Sequence, residues 1–348
     1  MHDTTAEIDY SEVIEGVFRK LKFGCSFEFA VQGPAYTCYV FSPNPGTRVS
    51  SILKNADAIT SEMPVEGVRI VAPIKELVAL GVEVPNRNRE IIGFEAMLHS
   101  LEESSFSLPV ALGRTVEGYD YIIDLADAPH ILVSGMEGAG KTMLLHATIC
   151  SLICTKSSEE LKFILAETEG TELSRYNGIS YLDRPVISES EGVFVILEEA
   201  VREIERRIKL FSDSGARKLS DYNRISTDRL PFFVIMIDEI ADAVGLDRRR
   251  FDVLIRRITS VARFCGIHLI LTTAYPYPET ITSAIRSNIP TSIALALPDQ
   301  ICSRIVIDHV GAEKLLGKGD MLYFKWNMHQ PVRIQGIFVN SERELWRK

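Results

Sequence analysis

Gly135-Met136-Glu137-Gly138-Ala139-Gly140-Lys141-Thr142 fits the phosphate-loop pattern G-x-x-x-x-G-K-[ST] at every fixed position. The segment before it, Pro129-His130-Ile131-Leu132-Val133-Ser134, ends in an apolar run that reads as a buried strand. The segment after it, Met143 to Lys156, has no Pro or Gly and reads as a helix. Strand, glycine loop and helix are the context this motif requires. The glycines let the backbone curl with its N–H groups pointing at an anion, and the helix start adds a positive dipole end. Lys141 is then the candidate for reaching the outer phosphates, and the Thr142 hydroxyl the candidate ligand of Mg²⁺. A glycine-rich turn with a chance lysine is the bland alternative, and the flanking strand and helix speak against it. The chemistry expected first is a nucleoside triphosphate site.

Working outward, alternating strands and helices surround this loop. Strands are expected at Lys162–Ala166, Phe232–Ile237, Ile267–Thr272, Thr291–Leu297, Met321–Phe324 and Val332–Val339, with an apolar stretch at Ile305. Long helices are expected at Glu191–Phe211 and Arg248–Arg263. Such alternation from Leu108 onward implies a mainly parallel sheet with helices on both faces and its ligand at the carboxyl ends of the strands. Phe232-Phe233-Val234-Ile235-Met236-Ile237-Asp238-Glu239 is an apolar strand ending in two acids. In this fold class Asp238 would hold the Mg²⁺ shell and Glu239 would polarise the attacking water. Thr273, at the tip of Ile267–Thr273, is the candidate γ-phosphate sensor between the other two strands.

Residues 1–107 read as a separate small α/β domain. Ser11–Lys20, Val49–Ser61 and Ile91–Glu103 carry helical spacing; Phe27–Val31, Tyr36–Phe41, Val68–Ala72 and Val78–Val84 carry strand character. The polar start Met1–Glu7 is expected to fray. Ser104-Ser105-Phe106-Ser107 reads as the linker.

At 348 residues, 46% apolar and 24% charged, the composition is that of an ordinary soluble globular protein. It contains no apolar run of membrane-spanning length and no signal peptide. Six cysteines scattered through apolar segments (Cys25, Cys38, Cys150, Cys154, Cys265, Cys302) lack zinc spacing, read as small core residues, and point to a reducing, cytoplasmic compartment. A net charge of −9 argues against a broadly basic surface but permits a local basic channel.

Several stretches together carry a family resemblance. They are Pro129 through Thr142, Ile237-Asp238-Glu239-Ile240-Ala241-Asp242, Ala262-Arg263-Phe264-Cys265-Gly266-Ile267-His268-Leu269, Ser287-Asn288-Ile289-Pro290-Thr291 and Ser303-Arg304-Ile305. The run Gly311-Ala312-Glu313-Lys314-Leu315-Leu316-Gly317-Lys318-Gly319-Asp320-Met321-Leu322-Tyr323 is the most specific of them. The chain resembles the FtsK/SpoIIIE family of hexameric DNA translocases over roughly residues 25 to 340. In the first domain Val68–Val71, Val82–Asn86 and Leu112–Arg114 resemble the family's small α domain and its junction with the motor.

The resemblance implies a RecA-like P-loop motor domain over residues 108–348, and a homo-oligomer, a hexameric ring around double-stranded DNA, that binds ATP and Mg²⁺ between neighbouring motor domains. Arg263 falls at the position of an arginine finger acting in trans, and Asp242 at one that supports Glu239 or the subunit contact. Chromosome segregation or DNA transfer is the implied process. The family's DNA path maps to Tyr275, Arg286, Gln300 and Arg304. There are departures. Ala166-Glu167-Thr168-Glu169 stands where the family has Asp-Pro-Lys, Ala274-Tyr275-Pro276 where it has Gln-Arg-Pro, and Gln300 where it has lysine. Each lost cation removes a phosphate contact and its counterion release, although Tyr and Gln still hydrogen-bond phosphates. The 348 residues contain neither the family's membrane-spanning region nor its winged-helix domain, and the sequence stops at Leu345-Trp346-Arg347-Lys348. A motor that moves a protein substrate in secretion, and a ring subunit with little turnover, are the alternatives.

Overall fold

The computed structural model describes residues 8–72, 79–168 and 172–340. Met1–Glu7, Val78, Glu169 and Leu345–Lys348 of the sequence expectations lie outside them. The first unit is a four-stranded antiparallel sheet of β1 (Cys25–Gln32), β2 (Tyr36–Pro43), β3 (Arg69–Val71) and β4 (Leu80–Pro85), in the order β1-β2-β4-β3. The helix Ser11–Lys20 packs on it through Ile14, Val17 and Phe18, spaced three and four apart. Glu12 in its first turn and Arg19 and Lys20 in its last match the helix dipole. Phe18 meets Phe41 edge-on at 5.3 Å, in a core shared with Ile52, Ile59 and Val82.

Two expected helices are broken. Val49–Ser61 is two helices, Val49–Lys54 and Ala56–Ser61, parted at Asn55. The Asn55 amide donates to Ser51 O at 2.8 Å, the kind of side-chain bond that competes with helix continuation. Within Ile91–Glu103 only Leu98–Glu102 is α-helical, after a 3₁₀ turn at Phe94–Met97. Ile92 O instead accepts from Phe338 N, and Phe94 N donates to Phe338 O. Ile92, Phe94, Met97 and Leu101 pack against Ala111, Ala147 and Ile337, so this segment sits on the second unit.

The second unit is a nine-stranded sheet: β5 (Pro109–Arg114), β6 (Asp120–Asp124), β7 (His130–Ser134), β8 (Leu161–Glu167), β9 (Phe232–Asp238), β10 (Ile267–Thr273), β11 (Thr291–Ala294), β12 (Asp320–Lys325) and β13 (Val332–Gly336). Their order is β6-β5-β13-β12-β11-β7-β10-β9-β8. The sheet is mixed. β11, β7, β10, β9 and β8 run parallel, and β12, β13, β5 and β6 extend it antiparallel. The antiparallel half is two hairpins, which short turns allow, whereas the parallel half needs helical crossovers. The hairpin β5–β6 and the helices Leu219–Ile225, Ser283–Asn288 and Gln300–Ile307 went unread in the sequence; Ile305 lies on the last of them. The helices Ser190–Ser214 and Arg248–Cys265 pack together, with Arg250 paired to Glu191 and Glu198 and stacked over Phe194.

Cys38, Cys150, Cys265 and Cys302 are buried as expected of small core residues, whereas Cys25 is half-buried and Cys154 is exposed. Among the described residues no helix is long and apolar enough to cross a membrane.

A buried ion network joins the two sheets. Arg333 on β13 grips Asp320 on β12 through two bonds, of 3.0 and 2.7 Å, and Glu83 on β4 through one of 2.6 Å. Arg69 on β3 also reaches Glu83, at 3.4 Å, and the Arg333 guanidinium lies 3.9 Å over the Tyr36 ring. Burial works against the guanidinium charge, but Asp320 and Glu83 more than offset it and hold Arg333 above its usual range. Deleting one member of such a network strands the others in low dielectric. Arg333→Met is therefore expected to lower unfolding stability by about 3–5 kcal/mol. Adding Asp320→Asn and Glu83→Gln is expected to recover much of that loss. Denaturant titration checks both, and a loss no larger than that of an exposed pair such as Lys20–Glu62 would contradict the assignment.

Candidate nucleotide site

The parallel ladders bring the candidate residues to one edge. Ser134 pairs with Thr273, Ile237 with Leu271, and Glu167 with Asp238, so the strands β7, β8, β9 and β10 all end together. β10 lies between β7 and β9, which puts Thr273 between the phosphate loop and the acidic pair. Gly135 N–H donates to Thr273 O at 3.3 Å and Ser134 Oγ to the same oxygen at 3.0 Å.

The loop itself is a concave backbone turn. Gly138 (φ +72°) and Gly140 (φ +115°) take left-handed conformations. A Cβ on Gly140 would lie 2.8 Å from Gly319 N, so only glycine fits there. The helix Lys141–Thr155 starts directly after it, leaving the N–H groups of Lys141, Thr142 and Met143 without partners inside the helix. Met136, Glu137 and Gly138 are exposed, Ala139 is buried, and Thr142 is half-buried. Lys141 Nζ donates to Gly135 O at 2.8 Å and Met136 O at 3.4 Å, which holds the ammonium on the loop. The N–H groups of a helix start, a fixed ammonium, a hydroxyl and a nearby carboxylate are the set of groups that a triphosphate with Mg²⁺ requires.

Asp238 accepts a short hydrogen bond from the Thr272 hydroxyl. Burial pushes its carboxyl above the ordinary aspartate value of 3.8, against the opposing pull of that bond and of the Lys141 charge. Glu239 is buried and left-handed at φ +58°, a costly conformation for a side chain of this size. Its carboxylate is fully engaged: Thr273 Oγ1 donates to Oε1 at 2.7 Å, Ala241 N–H to Oε1 at 3.0 Å, and Ala274 N–H to Oε2 at 2.6 Å. Its backbone is tied as well, with N–H to Thr272 Oγ1 at 3.1 Å and O accepting from Thr168 Oγ1 at 2.8 Å. Strain stored at a residue held by five bonds is the pattern found where chemistry is done.

Thr168 and Thr272 escaped the sequence reading, because their partners lie far along the chain. So did the task of Glu167. This buried carboxylate accepts from Leu173 N at 2.8 Å, Ser174 N at 3.0 Å and the Ser174 hydroxyl, and so caps the turn Leu173–Tyr176. The departure from the family pattern at Ala166–Thr168 thus supplies a cap and a brace for Glu239.

Arg263 lies apart from this edge. It ends the helix Arg248–Cys265, just before the amino end of β10, and is exposed, with its guanidinium 4.5 Å over the Phe264 ring. Seven strand residues at about 3.3 Å each put about 20 Å between it and its own phosphate loop. The fully buried Arg207 fixes that helix end by donating to Cys265 O at 2.7 Å and Pro231 O at 2.8 Å.

The four expected nucleic-acid contacts do not converge on one strand edge. Tyr275 and Gln300 follow the carboxyl ends of β10 and β11; Arg304 is one turn beyond Gln300 on the same helix face. Arg286 lies on the helix leading into β11, where it lines a cavity of about 380 Å³ with Ile305, Asp308 and Trp326. Tyr275, Arg286 and Arg304 are exposed.

Asp238 generates a pH prediction. A carboxyl whose pKa is raised by folding stabilises the fold below that pKa, and the contribution is lost as pH rises through it. Asp238→Asn keeps the Thr272 bond and removes the buried charge. Denaturation midpoints are expected to show Asp238→Asn more stable than the parent at neutral pH, with the gap closing in acid. Equal midpoints throughout would contradict the burial argument.

With this geometry in place, comparison with known proteins is specific. The FtsK/SpoIIIE family profile matches residues 96–279, and that of the FtsK alpha domain matches residues 1–86. The DNA translocase FtsK of Treponema pallidum is 38% identical over 343 residues, 96% of this chain and 43% of that protein. The DNA translocase SftA of Bacillus subtilis is 36% identical over 353 residues, 99% of this chain and 37% of that protein. The chain therefore spans less than half the length of these curated relatives. In fold it is similar to the pCW3 conjugation coupling protein TcpA, solved as a monomer with ATPγS (TM-score 0.65, 18% identity, 95% of each chain). It is also similar to the cytoplasmic domain of the Thermomonospora curvata type VII secretion ATPase EccC (TM-score 0.64, 20% identity, 73% of this chain and 33% of that one). The fold is that of a P-loop ATPase motor joined to a small α/β domain, and the chain belongs to the FtsK/SpoIIIE family.

Proposed function

We propose that this chain is the ATP-hydrolysing motor of a double-stranded DNA translocase that works as a homo-oligomeric ring, with the four-stranded unit as its accessory domain and the nine-stranded unit, together with the segment Ile92–Leu101 packed on it, as its motor. The observation that carries this reading is the meeting of the phosphate loop, Asp238, Glu239 and Thr273 at one strand edge, with Arg263 held at the opposite edge. Its support in sequence is the likeness to DNA translocases over nearly the whole chain.

In this reading Gly135–Thr142 wraps the triphosphate and Lys141 swings from its loop carbonyls to the outer phosphates. Thr142 and Asp238 would hold Mg²⁺, which would supply neutralisation of the phosphate charge. Glu239 positions and polarises the attacking water once it leaves Thr273 and the Ala274 N–H. Thr273, released at the same moment, senses the γ-phosphate. Arg263 reaches a neighbouring chain's site, because its own lies too far away. A hexamer is the ring size proposed. Tyr275, Arg286, Gln300 and Arg304 contact the DNA backbone without reading sequence. The second reading, a protein substrate, draws on Tyr275 and Gln300 standing where the family carries cations, and on the net charge of −9.

Steady-state ATP hydrolysis with and without linear duplex DNA, at low and moderate salt, tests the proposal. Stimulation by DNA that fades as salt rises is expected. Intact basal hydrolysis that ignores DNA contradicts the DNA reading in favour of a protein substrate. Glu239→Gln is expected to lower kcat by about 10²-fold or more while nucleotide still binds. Lys141→Ala is expected to weaken binding itself. Parent-like turnover by Glu239→Gln would remove Glu239 from its role.

A further inference from the structure

The segment Gly311–Asp320 touches the phosphate loop on one side and the first unit on the other. On the loop side, Gly319 N–H donates to Ala139 O at 2.8 Å, directly beneath Gly140, and Gly319 O accepts from Gly336 N at 2.9 Å. On the other side, Lys314 pairs with Asp57 at 2.7 Å, and Arg89 Nη1 donates to Leu316 O at 3.1 Å. Gly67 packs so closely that an added Cβ would sit 2.7 Å from the Leu316 side chain.

The turn between these contacts is stiff. Gly317, Lys318 and Gly319 are successive left-handed residues, with φ of +68°, +54° and +88°. Asp320 Oδ2 closes the turn by accepting from Leu316 N at 2.8 Å, and Gln335 Nε2 holds Lys318 O at 3.0 Å. Asp320 is also the residue that Arg333 grips, and Arg333 in turn grips Glu83 of the first unit. An unbroken path thus runs from Glu83 through Arg333, Asp320 and Gly319 to Ala139 of the phosphate loop. A purely structural bridge between the two units would not need to end on that loop.

We propose that the first unit is a working part of the nucleotide site. Glu83 and Arg333 are positioning residues that set the phosphate loop through Asp320 and Gly319. Nucleotide affinity and the seating of the first unit are then coupled, and the coupling is reciprocal. This rests on the reading of Gly135–Thr142 as the nucleotide site.

The test compares the parent chain with Glu83→Gln, which alters only the far end of the path. ATPγS with Mg²⁺ is titrated, the unfolding midpoint is measured, and amide exchange of Leu80–Pro85 is followed with and without nucleotide. Glu83→Gln is expected to weaken ATPγS binding about fivefold. ATPγS is expected to change Leu80–Pro85 exchange in the parent and not in the variant. If Glu83→Gln does not fold, Asp57→Ala combined with Arg89→Ala, both at exposed positions, is expected to weaken binding in the same direction by a smaller factor. Parent-like affinity in the folded variants, with Leu80–Pro85 indifferent to nucleotide, overturns the coupling and leaves the nucleotide site standing. Failure of the parent to bind ATPγS overturns the nucleotide reading, and this proposal with it.

Discussion

Parallel pairing of β11, β7, β10, β9 and β8 decides where the phosphate loop, Asp238, Glu239 and Arg263 stand. Because the strands share a direction and a register, their carboxyl ends form one edge, and loops leaving that edge meet whatever their separation in sequence. Gly135, Asp238 and Thr273 are brought together this way across more than a hundred residues. The same constraint sends the helix Arg248–Cys265 back to the amino edge before β10 begins. Arg263 is thereby kept from its own phosphate loop and left at the surface.

Electrostatics at the carboxyl edge then trades stability for function. Asp238 is buried beside Glu239 and Glu167 with one hydroxyl and one ammonium to offset the crowding, and its carboxyl is raised accordingly. Glu239 occupies a left-handed conformation that glycine would adopt more readily. Thr168, Thr272 and Thr273 hold it there. At the opposite flank, the network of Asp320, Arg333 and Glu83 concentrates charge that hydrophobic residues of equal volume could replace with no loss of stability. What such residues lack is directional bonding, and here the direction leads to Gly319 and the phosphate loop.

Some of this is legible in sequence because it is local. The phosphate loop, the strand ending in Asp238 and Glu239, and the amphipathic helix Ser11–Lys20 each declare themselves within a dozen residues. The break at Asn55 turns on one side-chain bond that overrides helical spacing. The extended start of Ile92–Leu101 depends on Phe338, more than two hundred residues away. Distance along the chain likewise hides the grip of Arg333 on Glu83 and the brace from Thr168 to Glu239, whereas the cap made by Glu167 is local but depends on a turn that no residue pattern announces. The antiparallel half of the sheet went unread in part because β5 and β6 lie beside the assumed linker. The run Gly311–Tyr323 was visible as a family signature. Its physical work, a strap between phosphate loop and first unit, emerges only from its contacts.

The claim that ties these observations together is that one chain's phosphate loop works with another chain's Arg263. ATP hydrolysis by a mixture of Lys141→Ala and Arg263→Ala chains tests it most directly. Each variant alone is expected to be inactive, and the mixture to recover turnover, since mixed neighbours pair an intact loop with an intact arginine. Parent-like turnover by Arg263→Ala alone, or a mixture as inactive as its parts, would contradict a site shared between chains.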